Sequence, residues 1–173
     1  LKNNGALPLY ASKANPSKVS VFGYASVSPA GGGSTDGDTS AGVVKLQSDL
    51  YSSLKDAGFV TNPQVRAKYD AWKAAKKTSD YAIKDEFNAQ MDSVKSSFKQ
   101  YGDAAIVMLS SDSANVNLTG DASMSDAKAH SRQLDRSQYE GIINYVAAEF
   151  DKVIVLVNNS VAIELGVLED NDK

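Results

Sequence analysis

Continuous apolar runs alternate along the chain with segments in which apolar residues recur every three or four positions. Residues 104–109 and 153–157, the latter preceded by Lys152, form such runs, and residues 19–23 form a short β-branched and aromatic run; all three are typical of buried strands in a parallel sheet. Residues 59–61 are compatible with a further short strand. The pattern therefore predicts four strands separated by helices.

The remaining apolar positions predict helices. The first covers residues 43–57 and ends before Gly58, and the second begins at Asn62 and Pro63, an N-cap residue followed by proline at the first helical position. A third runs from about Asp85 to Gly102, a fourth follows the capping box of residues 137–140, and a short fifth covers residues 162–168. Their expected buried faces comprise Val43, Leu46, Leu50 and Leu54; Val65, Tyr69 and Trp72; Phe87, Met91, Val94, Phe98 and Tyr101; and Tyr139, Ile142, Ile143, Val146 and Phe150.

This alternation predicts the fold class: an α/β fold with a mostly parallel sheet and helices on both faces, an α/β/α sandwich. Residues 1–173 form a single domain in this interpretation. Two long loops follow strands, at residues 24–42 and 110–136. Because parallel sheets bind ligands outside the carboxyl ends of their strands, we expect both loops to lie at one edge and to carry the function.

Composition narrows the function classes. The chain has 42% apolar residues, a formal net charge of −3 and no cysteine, which excludes disulfides, thiolate metal sites and a cysteine nucleophile. The sequence has no run of basic residues long enough to bind a nucleic-acid backbone, so nucleic acid is not an expected partner. Its apolar runs are also far shorter than the roughly 20 residues that span a bilayer. Residues 1–5 lack signal-peptide features, so the chain either begins there when mature or is a piece of a longer one. Localisation stays open between the cytoplasm and export.

The sequence does not match the common motifs for nucleotide binding or serine-hydrolase catalysis. Residues 31–34, Gly-Gly-Gly-Ser, have neither the Walker nor the dinucleotide spacing, so we interpret them as a flexible glycine loop. His130 is the only histidine and no Gly-x-Ser-x-Gly motif accompanies it, which leaves no basis for a serine-hydrolase triad. We predict no metal site and no cofactor. The second loop holds several aspartates, each of which is either a general acid or base or simply a solvated or capping charge.

The residues also resemble a known family. Residues 1–9, Leu-Lys-Asn-Asn-Gly-Ala-Leu-Pro-Leu, resemble the Leu-Lys-Asn-x-Gly-x-Leu-Pro-Leu signature that opens the C-terminal α/β domain of glycoside hydrolase family 3, the β-glucosidase and β-N-acetylhexosaminidase-like family. A strand ending in Phe-Gly, a glycine-rich loop, and residues 100–107 and 151–158 follow in the family's order. Residues 164–170 are similar to bacterial members. The resemblance covers nearly the whole chain.

The resemblance implies retaining hydrolysis of terminal β-glycosidic bonds, with carbohydrate and a (β/α)8 barrel domain of the parent chain as partners. The nucleophilic aspartate belongs to that barrel, so the 173 residues alone would be a truncated, inactive part of a glycosidase. The two catalytic carboxyl groups must lie about 5 to 5.5 Å apart, which requires the domains to close on each other. The substrate-contacting positions implied here are Gly32, Gly33, Ser34, Ser111 and Asn115.

The segment after the central strand departs from the family pattern. The family's arginine and acid/base glutamate align with Ser111 and Asn115, and an amide cannot donate the proton. Three explanations remain open: a shifted loop in which Asp112 or Asp121 is the acid/base, an acid from another domain, or a member that has lost activity. The last corresponds to a degenerate carbohydrate-binding or structural domain. A flavodoxin-like nucleotide-binding module is a further alternative on the strand and helix pattern alone.

Overall fold

The computed structural model of the protein describes residues 3, 5–27, 49–75, 84–111, 136–159 and 168, with residues 84–86, 110–111, 136–140 and 159 described by their backbone alone. Short 3-10 turns lie at Tyr24–Ser26 and Lys95–Ser97. The strands and helices are β1 (Ser17–Phe22), α1 (Leu50–Asp56), β2 (Phe59–Thr61), α2 (Pro63–Ala74), α3 (Lys84–Asp92), β3 (Ala104–Ser111), α4 (Arg136–Glu149) and β4 (Val153–Asn159).

The four strands form one parallel sheet in the order β2-β1-β3-β4. β1 lies at the centre, where residues 17–19 pair with β2 and residues 19–22 pair with β3. β3 pairs along residues 105–111 with β4. The chain thus extends the sheet in one direction to β2 and then in the other to β3 and β4. The sequence prediction of an α/β fold with a parallel sheet is confirmed.

Helices cover both faces of this sheet, because successive residues of a strand point to opposite faces. α1 covers one face and α2, α3 and α4 cover the other. The first face buries Val19, Val21, Tyr51, Ala104 and Ile106, with Leu50 and Leu54 of α1 packed against them. The second buries Phe22, Val65, Tyr69, Trp72, Phe87, Met91, Val94, Phe98, Ala105, Val107, Leu109, Ile142, Ile143, Val146 and Phe150. The predicted three-layer arrangement is therefore confirmed.

The two helix termini predicted around β2 are also present. Gly58 follows α1 with φ of 92°, and a Cβ there would lie 2.6 Å from the backbone of Ser12, so this position requires glycine. Asn62 is the N-cap of α2, and its Oδ1 accepts the N–H groups of Gln64 and Val65. The predicted helix 43–57 is wrong at its start, because α1 begins at Leu50 and Asp49 before it has the extended backbone of an N-cap; residues 43–48 lie outside the described residues.

The predicted helix from Asp85 to Gly102 is wrong in its second half, because α3 ends at Asp92 and a 3-10 turn follows at Lys95–Ser97. Ser93 Oγ donates to the carbonyl of Gln90 at 2.6 Å, and Ser97 Oγ donates to that of Val94 at 2.7 Å. Serine hydroxyls that bond nearby carbonyls compete with helical geometry. The predicted apolar positions Phe87, Met91, Val94 and Phe98 are nevertheless buried, whereas Tyr101 is half-buried.

Other predicted boundaries need smaller corrections. The predicted N-cap Ser137 is itself helical, as is Arg136 before it, so α4 does not start at the predicted position. β4 is not covered on both faces, since Leu156 is 38% and Val157 36% exposed at the side of the described sheet that has no further strand. The first three residues of the predicted loop 24–42 form a buried 3-10 turn. From the predicted helix 162–168 only Leu168 is described, as helical and partly buried against the core.

Candidate functional site

The strand order places a topological switch point between β1 and β3, where the chain reverses the direction in which it adds strands. In open α/β sheets the crevice outside the carboxyl ends at this point is the usual ligand site. β1 ends at Phe22, which pairs with Val107, and β3 continues to Ser111. The two long loops predicted from the sequence therefore follow adjacent parallel strands at the same edge.

The turn after β1 lies directly against β3. Gly23 has φ of 94°, and a Cβ there would lie 2.1 Å from the carbonyl oxygen of Met108. Only glycine fits this position, because any side chain would both strain the backbone and collide with β3. The Gly23 N–H donates to the buried hydroxyl of Tyr69 on α2 at 2.8 Å. The start of the first long loop is thus fixed by a neighbouring strand and a neighbouring helix.

The backbone N–H groups of this turn are largely used within the protein. The Gly23 N–H bonds Tyr69, the Ser26 N–H donates to the Gly23 carbonyl at 3.0 Å, and the Val27 N–H donates to the Tyr24 carbonyl at 3.1 Å. A phosphate-binding turn needs several such groups directed at the ligand. These bonds count against nucleotide phosphate binding at the described part of the turn, in agreement with the spacing argument from the sequence.

A buried hydroxyl pair links the turn to α1. Ser26 Oγ and Tyr51 Oη lie 3.3 Å apart, and either can donate. The guanidinium of Arg66 on α2 lies 4.2 Å from the centre of the Tyr51 ring, in a cation–π contact, and Arg66 Nε lies 3.5 Å from a carboxylate oxygen of Asp70. Burial raises the pKa of Tyr51 above its ordinary value, so its hydroxyl remains protonated and available for hydrogen bonding.

Asp49 is a carboxylate near this edge that sequence reasoning did not single out. Its Oδ1 accepts the N–H of Ser52 at 2.7 Å and caps α1. This backbone hydrogen bond lowers the pKa of Asp49 below its ordinary value, despite an opposing contribution from burial. Asp49 is therefore ionised at neutral pH, which suits a helix cap and not a proton donor.

Polar residues end β3 and β4 at the same edge. Ser110 pairs with Asn158 and Ser111 pairs with Asn159, so each pair occupies one register position of the sheet. Ser111, the predicted substrate-binding residue, is the last residue of β3. It therefore lies at the expected edge, one strand away from the turn after β1.

The other predicted site residues lie outside the described residues. These are the substrate-binding candidates Gly32, Gly33, Ser34 and Asn115 and the acid/base candidates Asp112 and Asp121. Their roles stay predictions. Within the described residues, no group of three or more His, Asp or Glu side chains could hold a metal ion.

Sequence reasoning missed the contribution of polar groups in α2 to this edge. It placed Tyr69 on the buried face of α2 without a role for its hydroxyl, which bonds Gly23. The available signal was the residue type, because a buried tyrosine usually finds a hydrogen-bond partner where a phenylalanine needs none. Its partner lies 46 residues away, and no sequence pattern identifies it.

Comparison of the chain with models of protein families, with curated proteins and with solved structures finds no match. In the described part of the chain, every helix is too short or too polar to cross a membrane.

Proposed function

We propose that this chain is the α/β domain of a family 3 glycoside hydrolase and forms part of its sugar site. In this proposal a barrel domain supplies the aspartate nucleophile, and both domains together hydrolyse terminal β-glycosidic bonds with retention. The supporting observation is the position of the two segments that the resemblance assigns to the substrate. They follow β1 and β3, which are adjacent and parallel at the topological switch point.

The acid/base residue is the open part of this proposal. Asp112 directly follows Ser111, the last residue of β3, and Asp121 comes nine positions later in the same segment. Either carboxyl group can exchange a proton with the glycosidic oxygen, whereas the amide of Asn115 cannot. We therefore propose a shifted loop in which Asp112 or Asp121 is the acid/base.

The test is hydrolysis of matched aryl glycosides and disaccharides by the full-length protein, with the 173-residue chain alone as a control. Loss of the acid slows reactions by about 10² to 10⁴, and most for a sugar leaving group, which needs protonation. The acid/base variant, Asp112→Asn or Asp121→Asn, should lose disaccharide hydrolysis far more than hydrolysis of activated aryl glycosides. Asp126→Asn in the same segment is the matched control and should leave both unchanged.

Two results would contradict the proposal. Equal activity of all three variants on disaccharides would remove Asp112 and Asp121 as acid/base candidates. Activity of the isolated chain would contradict a site shared between two domains.

A degenerate carbohydrate-binding domain is the second candidate, because Asn115 occupies the aligned acid/base position. It predicts a folded full-length protein that binds sugars without turnover. A flavodoxin-like nucleotide module would share the β2-β1-β3-β4 order. The internal hydrogen bonds of the turn after β1 count against nucleotide phosphate, because they use N–H groups that a phosphate would need. Absorbance of a bound nucleotide cofactor in the purified protein would support the nucleotide-binding alternative.

A further inference from the structure

β3 and β4 extend beyond β1 at the carboxyl edge of the sheet. β1 ends at Phe22, which pairs with Val107, whereas β3 and β4 stay paired for four further positions, residues 108–111 with residues 156–159. At about 3.3 Å per residue, the two strands project about 13 Å past the end of β1. We call residues 108–111 and 156–159 the β3–β4 extension. It stands beside the topological switch point, where parallel sheets bind their ligands.

The two faces of this extension differ in how far the core covers them. Successive residues of a strand alternate between faces, so Leu109 and Val157 continue the face covered by α2, α3 and α4, where Leu109 is only 1% exposed. Met108 and Leu156 continue the opposite face, that of Ile106 and α1. Met108 is half-buried and Leu156 is 38% exposed. The α1-side face is therefore the more accessible of the two.

The α1-side face changes from apolar to polar toward its end. The pair Met108 and Leu156 is followed two positions later by the pair Ser110 and Asn158. Asn158 is exposed, and a carboxamide both donates and accepts hydrogen bonds. Ligand sites combine an apolar surface with a few polar groups that fix the orientation of the ligand. A sugar ring suits such a surface, because it carries C–H groups and hydroxyls side by side.

The extension holds no charged residue, because its two strands read Met-Leu-Ser-Ser and Leu-Val-Asn-Asn. An anionic ligand such as phosphate is usually held by lysine or arginine side chains, and the extension supplies neither. A neutral ligand with several hydroxyls is therefore favoured over a phosphate or a carboxylate.

We propose that the α1-side face of the β3–β4 extension binds carbohydrate, with Leu156 against the C–H groups of a sugar ring and Asn158 hydrogen-bonded to its hydroxyls. The choice of carbohydrate rests on the proposed function, which assigns Ser111 at the end of β3 to the substrate. Neighbouring strands lie about 4.8 Å apart, so β4 adds contacts one strand beyond Ser111. The family resemblance assigns no substrate contact to β4.

Amide shifts in ¹H–¹⁵N NMR spectra of the 173-residue protein, titrated with thio-linked disaccharides, test this proposal. The probes are thiocellobiose and thiochitobiose, whose β-configured sulfur linkage resists glycosidases. Saturable shifts are expected at residues 108–111 and 156–159 with at least one probe, and none at residues 12–18 near the opposite edge. The same concentration of inorganic phosphate should leave all of these amides unchanged.

Matched variants separate sugar contact from a general change in the fold. Leu156→Ala and Asn158→Ala should each weaken disaccharide binding about threefold to tenfold, since each removes one contact. Val157→Ala is the matched control and should leave the Kd unchanged, because Val157 is 36% exposed, close to the 38% of Leu156, but lies on the other face.

Four results would overturn the proposal. The first is an absence of saturable shifts at the extension with both probes, and the second is equal shifts with phosphate. The third is a loss of affinity in Val157→Ala as large as that in Leu156→Ala. The fourth is a set of shifts at residues 153–157 that depends on protein concentration alone, which would mean that a second copy of the chain covers the extension.

Hydrolysis by the protein in the proposed two-domain form is measured separately, so the two proposals fail independently. Saturable shifts together with hydrolysis support both. Saturable shifts without hydrolysis support the carbohydrate-binding face and contradict the proposed hydrolase. Hydrolysis without shifts at the extension contradicts the carbohydrate-binding face and leaves the proposed function standing.

Discussion

Asn62 is the residue whose substitution tests the packing of the described fold most sharply. Its side chain is 1% exposed and makes four hydrogen bonds. Oδ1 accepts two N–H groups at the start of α2, and Nδ2 donates to Ser20 Oγ at 3.1 Å and to Ser97 Oγ at 2.8 Å. One amide thereby connects β1, α2 and the 3-10 turn before β3.

The cost of Asn62→Ala follows from these contacts. Loss of the cap oxygen costs about 1 kcal/mol, and loss of two buried hydrogen bonds costs about 1 kcal/mol each. The two serines still donate to the carbonyls of Tyr101 and Val94, so neither hydroxyl is left without a partner. We therefore expect a decrease of about 2 to 4 kcal/mol in the free energy of unfolding. Asn62→Ser keeps a cap oxygen and should recover about 1 kcal/mol of this.

Urea unfolding followed by fluorescence of Trp72, the only tryptophan, measures both variants. Trp72 lies on α2 and is 6% exposed in the folded protein, so its emission changes on unfolding. Asn88→Ala is the matched control, because Asn88 is exposed on α3 and should change stability by less than about 0.5 kcal/mol. The reasoning is refuted if Asn62→Ala costs under about 1 kcal/mol, or if serine and alanine at this position are equal.

Three further predictions concern single contacts. Gly23→Ala should destabilise the protein by more than about 2 kcal/mol, because φ is 94° and the new Cβ would meet Met108, and native-like thermal unfolding of this variant would contradict it. Tyr69→Phe should cost about 1 to 3 kcal/mol in urea by leaving the buried Gly23 N–H without its acceptor, and an unchanged midpoint would contradict this. Burial, and then the hydrogen bond to Asp92, raise the pKa of Tyr145 well above its ordinary value of about 10, so the unfolded state loses its proton first and stability falls as the pH rises above about 10. Tyr145→Phe should reduce that fall in thermal unfolding measured from pH 8 to 11, and an identical pH dependence would contradict the assignment.

The strands and the fold class were predictable from the sequence because they depend on local patterns. The continuous apolar run at 104–109 indicates burial on both faces, which only a central position such as that of β3 supplies. The same pattern predicted too much burial for β4, because apolar composition does not distinguish a central strand from one at the side of a sheet. Ser93, which follows the end of α3, can also be read from the sequence as a residue that disfavours helix. The prediction nevertheless continued the helix through it, because apolar residues recur at helical spacing on both sides.

The polar contacts at the carboxyl edge could not be predicted in the same way. Tyr69 bonds Gly23, and Lys73 bonds Val27, across 46 residues in each case. Such pairs depend on how α2 lies against the end of β1, which is a consequence of the whole packing. The candidate acid/base and sugar-contacting positions beyond Ser111 rest on the family resemblance and stay predictions.

The central claim is that carbohydrate binds at the carboxyl ends of β1 and β3. Hydrogen–deuterium exchange of the protein in the proposed two-domain form, with and without a bound iminosugar glycosidase inhibitor, tests it most directly. The claim predicts slower exchange at residues 23–27 and 107–111, with no change at residues 12–18 near the opposite edge. Inhibitor binding without slower exchange at these two strand ends, or with slower exchange only at the opposite edge, would contradict it.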